Sequence, residues 1–495
     1  MYNVYLHAAY VIVMSNKDGS DLPDLMDSMN NTSVSRFHYK TWLLAGMGFF
    51  TDAYDLFIIG TVVAIMPLVG WSTLNTATAT GKFYTALVSS TALLSAIIGA
   101  VLFGRLLDML GRKAIYGMEL VLLVIGALGS AFLTPTNSPY TLIAWRFILG
   151  IGIGGDYATS STIMAEYSNT KSRGKLVGMV FSMQSLGLIA GPAVALGLMY
   201  SGISLTLVWQ LLLAFGAIPA AFVIYGRRKL PEPPRYTLNV KGRTKEAIKT
   251  WEAYTGLKVD ENSQIKPSKA KWSKLFTDRT FILTLLGTAG TWFLMDWALY
   301  GNSIMSQNIT GLLVPASVKG LSRIETSTFY SLLIFGLAAF PGYWIATFTI
   351  DRIGRKPIQM IGFLFMAGTF LTLGIAPYLQ SAAYVTEFLI IYGMSYFFIE
   401  FGPNVTTFIY PPEVFPTSLR GLGTGASAAG GKTGAFIGTF LDLFIIAAFG
   451  YSGLFLLLAA FAALGLILTF LLLPEPKGMN LEESSGDNRL RQESS

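Results

Sequence analysis

Apolar and polar positions separate into blocks too long for a soluble sheet or a surface helix. From Thr41 onward, apolar segments follow one another at short intervals over 41–69, 82–107, 114–133, 140–164, 174–200 and 206–226. After a polar stretch they resume over 280–305, 326–350, 357–376, 383–410, 421–448 and 452–473. A helix needs about 20 apolar residues to cross a bilayer, and each segment reaches that length. The pattern predicts an all-α polytopic membrane protein with twelve transmembrane helices, spans 1 to 12. The polar remainder divides into an N-terminal tail over 1–40, a linker over 227–279 and a C-terminal tail over 474–495. Within the first, Tyr10–Met14 is too short to span and Ser15–Ser35 reads as disordered. Within the second, Lys241–Gly256 predicts a short helix with Trp251 and Tyr254 on the membrane surface.

Composition agrees and charge adds direction. Hydrophobic residues make up 53% and charged residues 13%, about half the ~25% of soluble domains. The net charge of +7 sits in short loops, a topological pattern rather than a nucleic-acid patch. Arg105, Arg112 and Lys113 lie between spans 2 and 3; Lys171, Arg173 and Lys175 between 4 and 5. Arg352, Arg355 and Lys356 follow span 8, and Arg420 follows span 10. The alternate loops hold only Lys82, Lys319 and Arg323. The positive-inside rule then places both termini in the cytoplasm of a cell-membrane protein. With no cysteine, disulfides, thiolate metal sites and cysteine nucleophiles are excluded. His7 and His38 lie outside the main apolar runs, which leaves no histidine metal centre. The linker is too short for a catalytic domain. Neither an enzyme, a cofactor nor an obligate protein partner is expected.

The chain also repeats. Asp108-x-x-Gly111-Arg112-Lys113 recurs as Asp351-x-x-Gly354-Arg355-Lys356, and Pro231-Glu232-Pro233 as Pro474-Glu475-Pro476, both 243 residues on. Glu166-x6-Arg173-Gly174 recurs as Glu413-x6-Arg420-Gly421, and Asp52 of span 1 corresponds to Asp296 of span 7. Two six-helix halves of like orientation follow, the design of a major facilitator with its substrate site near the midplane between halves. The span 2–3 motif resembles that superfamily's signature loop. Asp108, Arg112, Asp351 and Arg355 are therefore expected to form a cytoplasmic gate that pairs in one state and releases in the other.

Polar groups inside spans are expensive: an Asp at a helix centre costs about 2.5–3.5 kcal/mol on insertion scales. Span 1 holds Asp52 and Asp55, which need a wet cavity, a proton or a cation such as Arg146. In span 7, Trp292, Asp296 and Tyr300 share one helix face. Lys432 in span 11 can neutralise an anion or a carboxylate such as Asp52. Span 4 places Asp156 and Tyr157, and span 5 Gln184. Span 10 breaks at Gly402-Pro403, with Glu400 and Asn404 flanking the break. Two motifs mislead. Gly150, Gly152 and Gly155 fit a dinucleotide fingerprint, yet no strand precedes them, so close helix packing is the better reading. Gly430-Gly431-Lys432-Thr433 lacks the first glycine of a phosphate loop.

Together Gly48–Phe57, Tyr116–Leu120 with Glu119, Gly154–Tyr157, Met183-Gln184, Trp292–Tyr300, Phe401–Asn404 and Gly431-Lys432 resemble the phosphate:proton symporter family of the major facilitators. The resemblance implies that Tyr157, Gln184, Trp292, Asp296, Tyr300 and Asn404 contact phosphate. It implies proton passage and charge balance for Asp52, Glu119, Asp156 and Lys432, to which Asp55 and Glu400 add nearby acids. Glu400 replaces an expected Asn, and Asp442 is a further acid in span 11. The expected function is proton-coupled phosphate import by rocking of two halves in a lipid bilayer. The alternatives are a symporter of an organic or aromatic acid anion or a sugar, and a nutrient sensor without flux.

Overall fold

The computed structural model describes residues 22–260, 267–268, 270–304 and 306–493. Ten helices among them are long and apolar enough to cross a membrane. They become twelve once span 4, Pro139–Tyr167, is counted and Arg420–Leu472 is divided. Span 4 carries Arg146, Asp156 and a Ser-Thr run that dilute its apolar character. Arg420–Leu472 breaks at Gly450, where φ is 68° and ψ is 179°, a conformation that a Cβ would penalise. The halves are all-helical and meet where span 2 packs on span 11 and span 5 on span 8.

Small residues permit the close packing. A Cβ on Gly154 would lie 2.0 Å from the Ala96 carbonyl oxygen of span 2, and one on Gly150 2.1 Å from that of Ala92. The apparent dinucleotide fingerprint is thus a helix-packing seam. Span 10 bends as its Gly-Pro pair predicts: Glu400–Asn404 forms a π turn with Gly402 at φ −105°, ψ −108°.

The polar flanks depart from expectation. Of the N-terminal tail, residues 1–21 lie outside the described residues. The rest is ordered: Leu25–Asn31 is a helix capped by the Asp24 side chain. It buries Leu25, Met26 and Met29 against Leu238, Ile248 and Trp251 of the linker. Trp251 accordingly leaves the membrane surface, donating from Nε1 to Ser28 Oγ at 2.9 Å. Seven residues cannot sustain a helix alone, so docking supplies what propensity lacks. The C-terminal tail is likewise folded, into Leu481–Ser484 and Asp487–Glu493. Asp487 accepts from the Thr417 backbone at 3.1 Å and its hydroxyl at 2.6 Å, and Glu482 pairs with Arg235.

Burial works against the Glu482 carboxylate, but the Arg235 guanidinium outweighs it and holds the carboxyl below its usual range. A depressed pKa stabilises docking at neutral pH, and that stability is lost as pH falls through the lowered value. The C-terminal segment should therefore resist proteolysis down to the ordinary carboxylate range near pH ~4 and become cleavable only below it. Glu482→Gln should expose it at neutral pH.

Candidate functional site

Between the two halves, side chains of both converge. The Tyr157 and Tyr300 hydroxyls are 2.8 Å apart. Gln184 donates from Nε2 to Tyr157 at 3.0 Å and accepts at Oε1 from the Tyr343 hydroxyl at 2.5 Å. Asn404 donates to Tyr343 at 2.7 Å and to Glu400. Lys432 Nζ lies 3.0 Å from Asp296 Oδ2 and 2.9 Å from the Tyr300 hydroxyl, over the faces of both tyrosine rings at about 4 Å. Trp292 lays its indole on Gly431 and beside Tyr157. All these side chains are buried. Of the carboxylates that Lys432 could neutralise, the one it bonds is Asp296 rather than Asp52. The cluster offers a cation, phenols and amides to an oxyanion, with a carboxylate that competes for the same cation.

A second cluster fills the N-terminal half. Arg227, at the end of span 6, donates to Asp156 through Nη1 at 2.7 Å and Nη2 at 2.9 Å, and to Glu119 at 2.8 Å. Such a bidentate pair fixes both charge and geometry. Asp52 lies within electrostatic reach of this cluster and of Lys432, yet neither of its carboxylate oxygens has a hydrogen-bond partner among the described residues. Asp55 is not brought to the site. Its carboxylate faces Gly216 of span 6, and its carbonyl accepts from Arg146 at 3.0 Å. Asp442 also lies apart, accepting from the Trp297 indole at 3.2 Å.

The third cluster closes the end that carries the basic loops. Asp108 accepts from the backbone N–H groups of Gly421 and Leu422 at 2.9 and 2.8 Å, capping span 11 from the other half. Asp351 repeats this on span 5, accepting from Gly174 at 3.1 Å and Lys175 at 2.8 Å. Glu166 pairs with Arg112 at 2.7 Å and Arg420 at 3.1 Å. Glu413 pairs with Arg355 at 2.6 Å and Arg173 at 2.8 Å. Glu232 and Glu475 accept from the Arg112 and Arg355 backbones, which accounts for the repeated Pro-Glu-Pro. The motif glycines need left-handed backbone, with φ of 99° at Gly111 and 113° at Gly354. In this state the predicted gate residues join halves, with each motif acid on the opposite half's helix start.

Tyr343, Arg227, Glu166 and Glu413 were not among the predicted site residues. Tyr343 sits in an apolar run without a polar neighbour to mark it, and Arg227 reads as one more basic residue of a loop. Glu166 and Glu413 were visible as repeats, but not as the anions between two arginines each.

The protein-family model described as "Sugar (and other) transporter" matches residues 41–487. Inorganic phosphate transporter 1-11 of Oryza sativa subsp. japonica is 35% identical, over 96% of this chain and 92% of its own length. Low affinity inorganic phosphate transporter 1 of Petunia hybrida is 36% identical over 94% and 95%. Inorganic phosphate transporter 1-4 of Arabidopsis thaliana is 36% identical over 94% and 96%. Among solved structures, the proton:xylose symporter XylE bound to 6-bromo-6-deoxy-D-glucose superposes with a TM-score of 0.75. It is 20% identical and aligned over 90% of this chain and 98% of its own, which establishes a shared fold. These are transporters, not enzymes. The chain belongs to the sugar (and other) transporter family of the major facilitators, alongside the inorganic phosphate transporters that it resembles over nearly its whole length.

Proposed function

We propose that the protein imports inorganic phosphate together with protons across the cell membrane by alternating access, with both termini in the cytoplasm. The observation that carries this reading is Lys432, a buried cation at the seam between halves, bonded to Asp296 and Tyr300 and ringed by donors. The phosphate transporters named above support it.

In this mechanism, protonation of Asp296 releases Lys432 to the anion and turns the carboxyl into a further donor. Tyr157, Gln184, Trp292, Tyr300 and Asn404 supply the remaining donors. Loss of the proton restores the Lys432–Asp296 pair and repels phosphate, so that release is tied to deprotonation. Asp52, whose carboxylate has no hydrogen-bond partner among the described residues, relays the proton. Asp156 and Glu119 are held by Arg227 as fixed charges. The basic end, closed in this structure, opens to the cytoplasm when the Asp108 and Asp351 caps release.

Uptake into proteoliposomes with an imposed pH gradient tests the whole. Phosphate is expected to accumulate with the gradient, and sulfate and xylose are not. Phosphate uptake indifferent to the gradient would overturn the coupling, and xylose uptake would favour the sugar reading suggested by the xylose symporter's fold. A protein that moves none of them would be a sensor. The two span acids separate in the same assay. Asp52→Asn is expected to flatten the pH dependence of uptake. Asp156→Asn should leave that profile in place and lower thermal stability by up to about 3 kcal/mol, because it strips a partner from buried Arg227.

A further inference from the structure

Opposite the basic end, a cavity of about 230 Å³ opens between the halves. Its floor is a tight contact: a Cβ on Gly60 would lie 2.1 Å from the Ile304 carbonyl oxygen. One turn deeper the Phe57 and Tyr300 rings stack, 5.0 Å apart and 11° from parallel, and Tyr300 belongs to the central cluster. The cavity is thus the next compartment outward along the seam. Gln307 ties its two sides by donating to Thr61 at 3.1 Å and Thr328 at 2.7 Å.

Among the described residues its lining includes one cation, Arg323, and no carboxylate. Arg323 donates to the carbonyls of Gly311 at 2.6 Å and Val314 at 3.3 Å. Those bonds to neutral dipoles fix the guanidinium without cancelling its charge, and Arg323 enters no ion pair with a carboxylate among the described residues. Ser89, only 1% exposed, also lines the cavity, and its hydroxyl has no hydrogen-bond partner among the described residues. An unbonded buried hydroxyl and an unneutralised guanidinium lining one cavity are donors that an oxyanion would satisfy.

We propose that this cavity is an anion-capture site. It takes inorganic phosphate ahead of the central cluster, with Arg323 supplying the charge and Ser89 a hydroxyl. The proposal rests on the phosphate reading for its ligand, and on the cavity alone for its charge selectivity. A cleft of one sign with low-dielectric walls concentrates counter-ions and speeds their entry, and salt screens the effect. Arg323 therefore acts on substrate arrival rather than on the transport step.

The absence of cysteine allows the local potential to be read without transport. Thr76 lines the same cavity and is exposed, so a Thr76→Cys variant purified in detergent can be labelled with anionic and cationic methanethiosulfonates. The anionic reagent is expected to react faster, phosphate to slow it, and the preference to fall about tenfold when Arg323→Gln is added. Arg323→Lys should restore the preference. In proteoliposomes Arg323→Gln should raise the KM for phosphate about fivefold or more at an unchanged maximal rate, with the ionic-strength dependence of KM lost. An unchanged reagent preference in Arg323→Gln would overturn the proposal. So would an equal defect in Arg323→Lys, which marks a role in holding the Gly311–Val314 loop, or an absence of phosphate protection. If the unsubstituted protein moves no phosphate, the proposed function fails while the reagent preference still decides the capture site.

Discussion

Lys432→Met is expected to abolish phosphate uptake into proteoliposomes. Truncating one partner of a buried, hydrogen-bonded charge pair costs about 2–5 kcal/mol, and each 1.4 kcal/mol is about tenfold. The fall should therefore reach at least about 30-fold. Two losses combine here: the central cluster loses its cation, and Asp296 is left buried without its 3.0 Å partner. The double replacement Lys432→Met/Asp296→Asn separates them. It removes the unpaired charge, so the thermal stability lost in the single variant should return while uptake stays absent. Uptake by Lys432→Met within threefold of the unsubstituted protein would remove Lys432 from the mechanism.

The second large effect is expected at the basic end, from Glu413→Gln. This carboxylate lies between Arg355 of its own half and Arg173 of the other. Its loss sets two buried guanidiniums against each other. Breaking such a pair costs about 3–5 kcal/mol, enough to shift a closed-to-open ratio at least about a hundredfold. A single cysteine reads the shift. Ser182 is buried in the contact between spans 5 and 8, its hydroxyl 2.7 Å from that of Thr347. A Ser182→Cys protein should label slowly alone and rapidly with Glu413→Gln added, with uptake reduced because the closed state is no longer reached. Unchanged labelling would show that the helix caps of Asp108 and Asp351 suffice to hold this end.

Much of the fold was legible because a membrane helix announces itself by length alone: every span appears near its predicted place. Span 4 shows the limit of hydropathy, since its charged and hydroxylic residues dilute the signal while their burial in a polar network makes the helix viable. The repeats pointed to the contact between halves at the basic end, because Asp-x-x-Gly-Arg-Lys carries its own mechanics: a cap, a left-handed turn and a guanidinium. The central cluster was legible residue by residue, but its pairings were not. That Lys432 meets Asp296 rather than Asp52 depends on which helix faces turn together, and no local pattern records that. Tyr343 was hidden for the same reason. The N-terminal tail misled because its few apolar residues, Leu25 and Met29, look negligible until a partner surface exists, and Leu481 and Leu490 of the C-terminal tail look no different. All four are buried in the folded chain.

The reciprocal capping of spans 5 and 11 has a geometric consequence. Each half offers the other the same acid, the same glutamate–arginine clamp and the same helix start, so the contact behaves as an isologous dimer interface written into one polypeptide. A surface of that kind has no weak edge from which to peel. Its caps and glutamate–arginine clamps lie in equivalent pairs about a pseudo-two-fold axis, and a rotation that strains one member strains its mate. Opening under the proposed alternating access is then a paired event, closer to the dissociation of a small homodimer than to the swing of a hinged door.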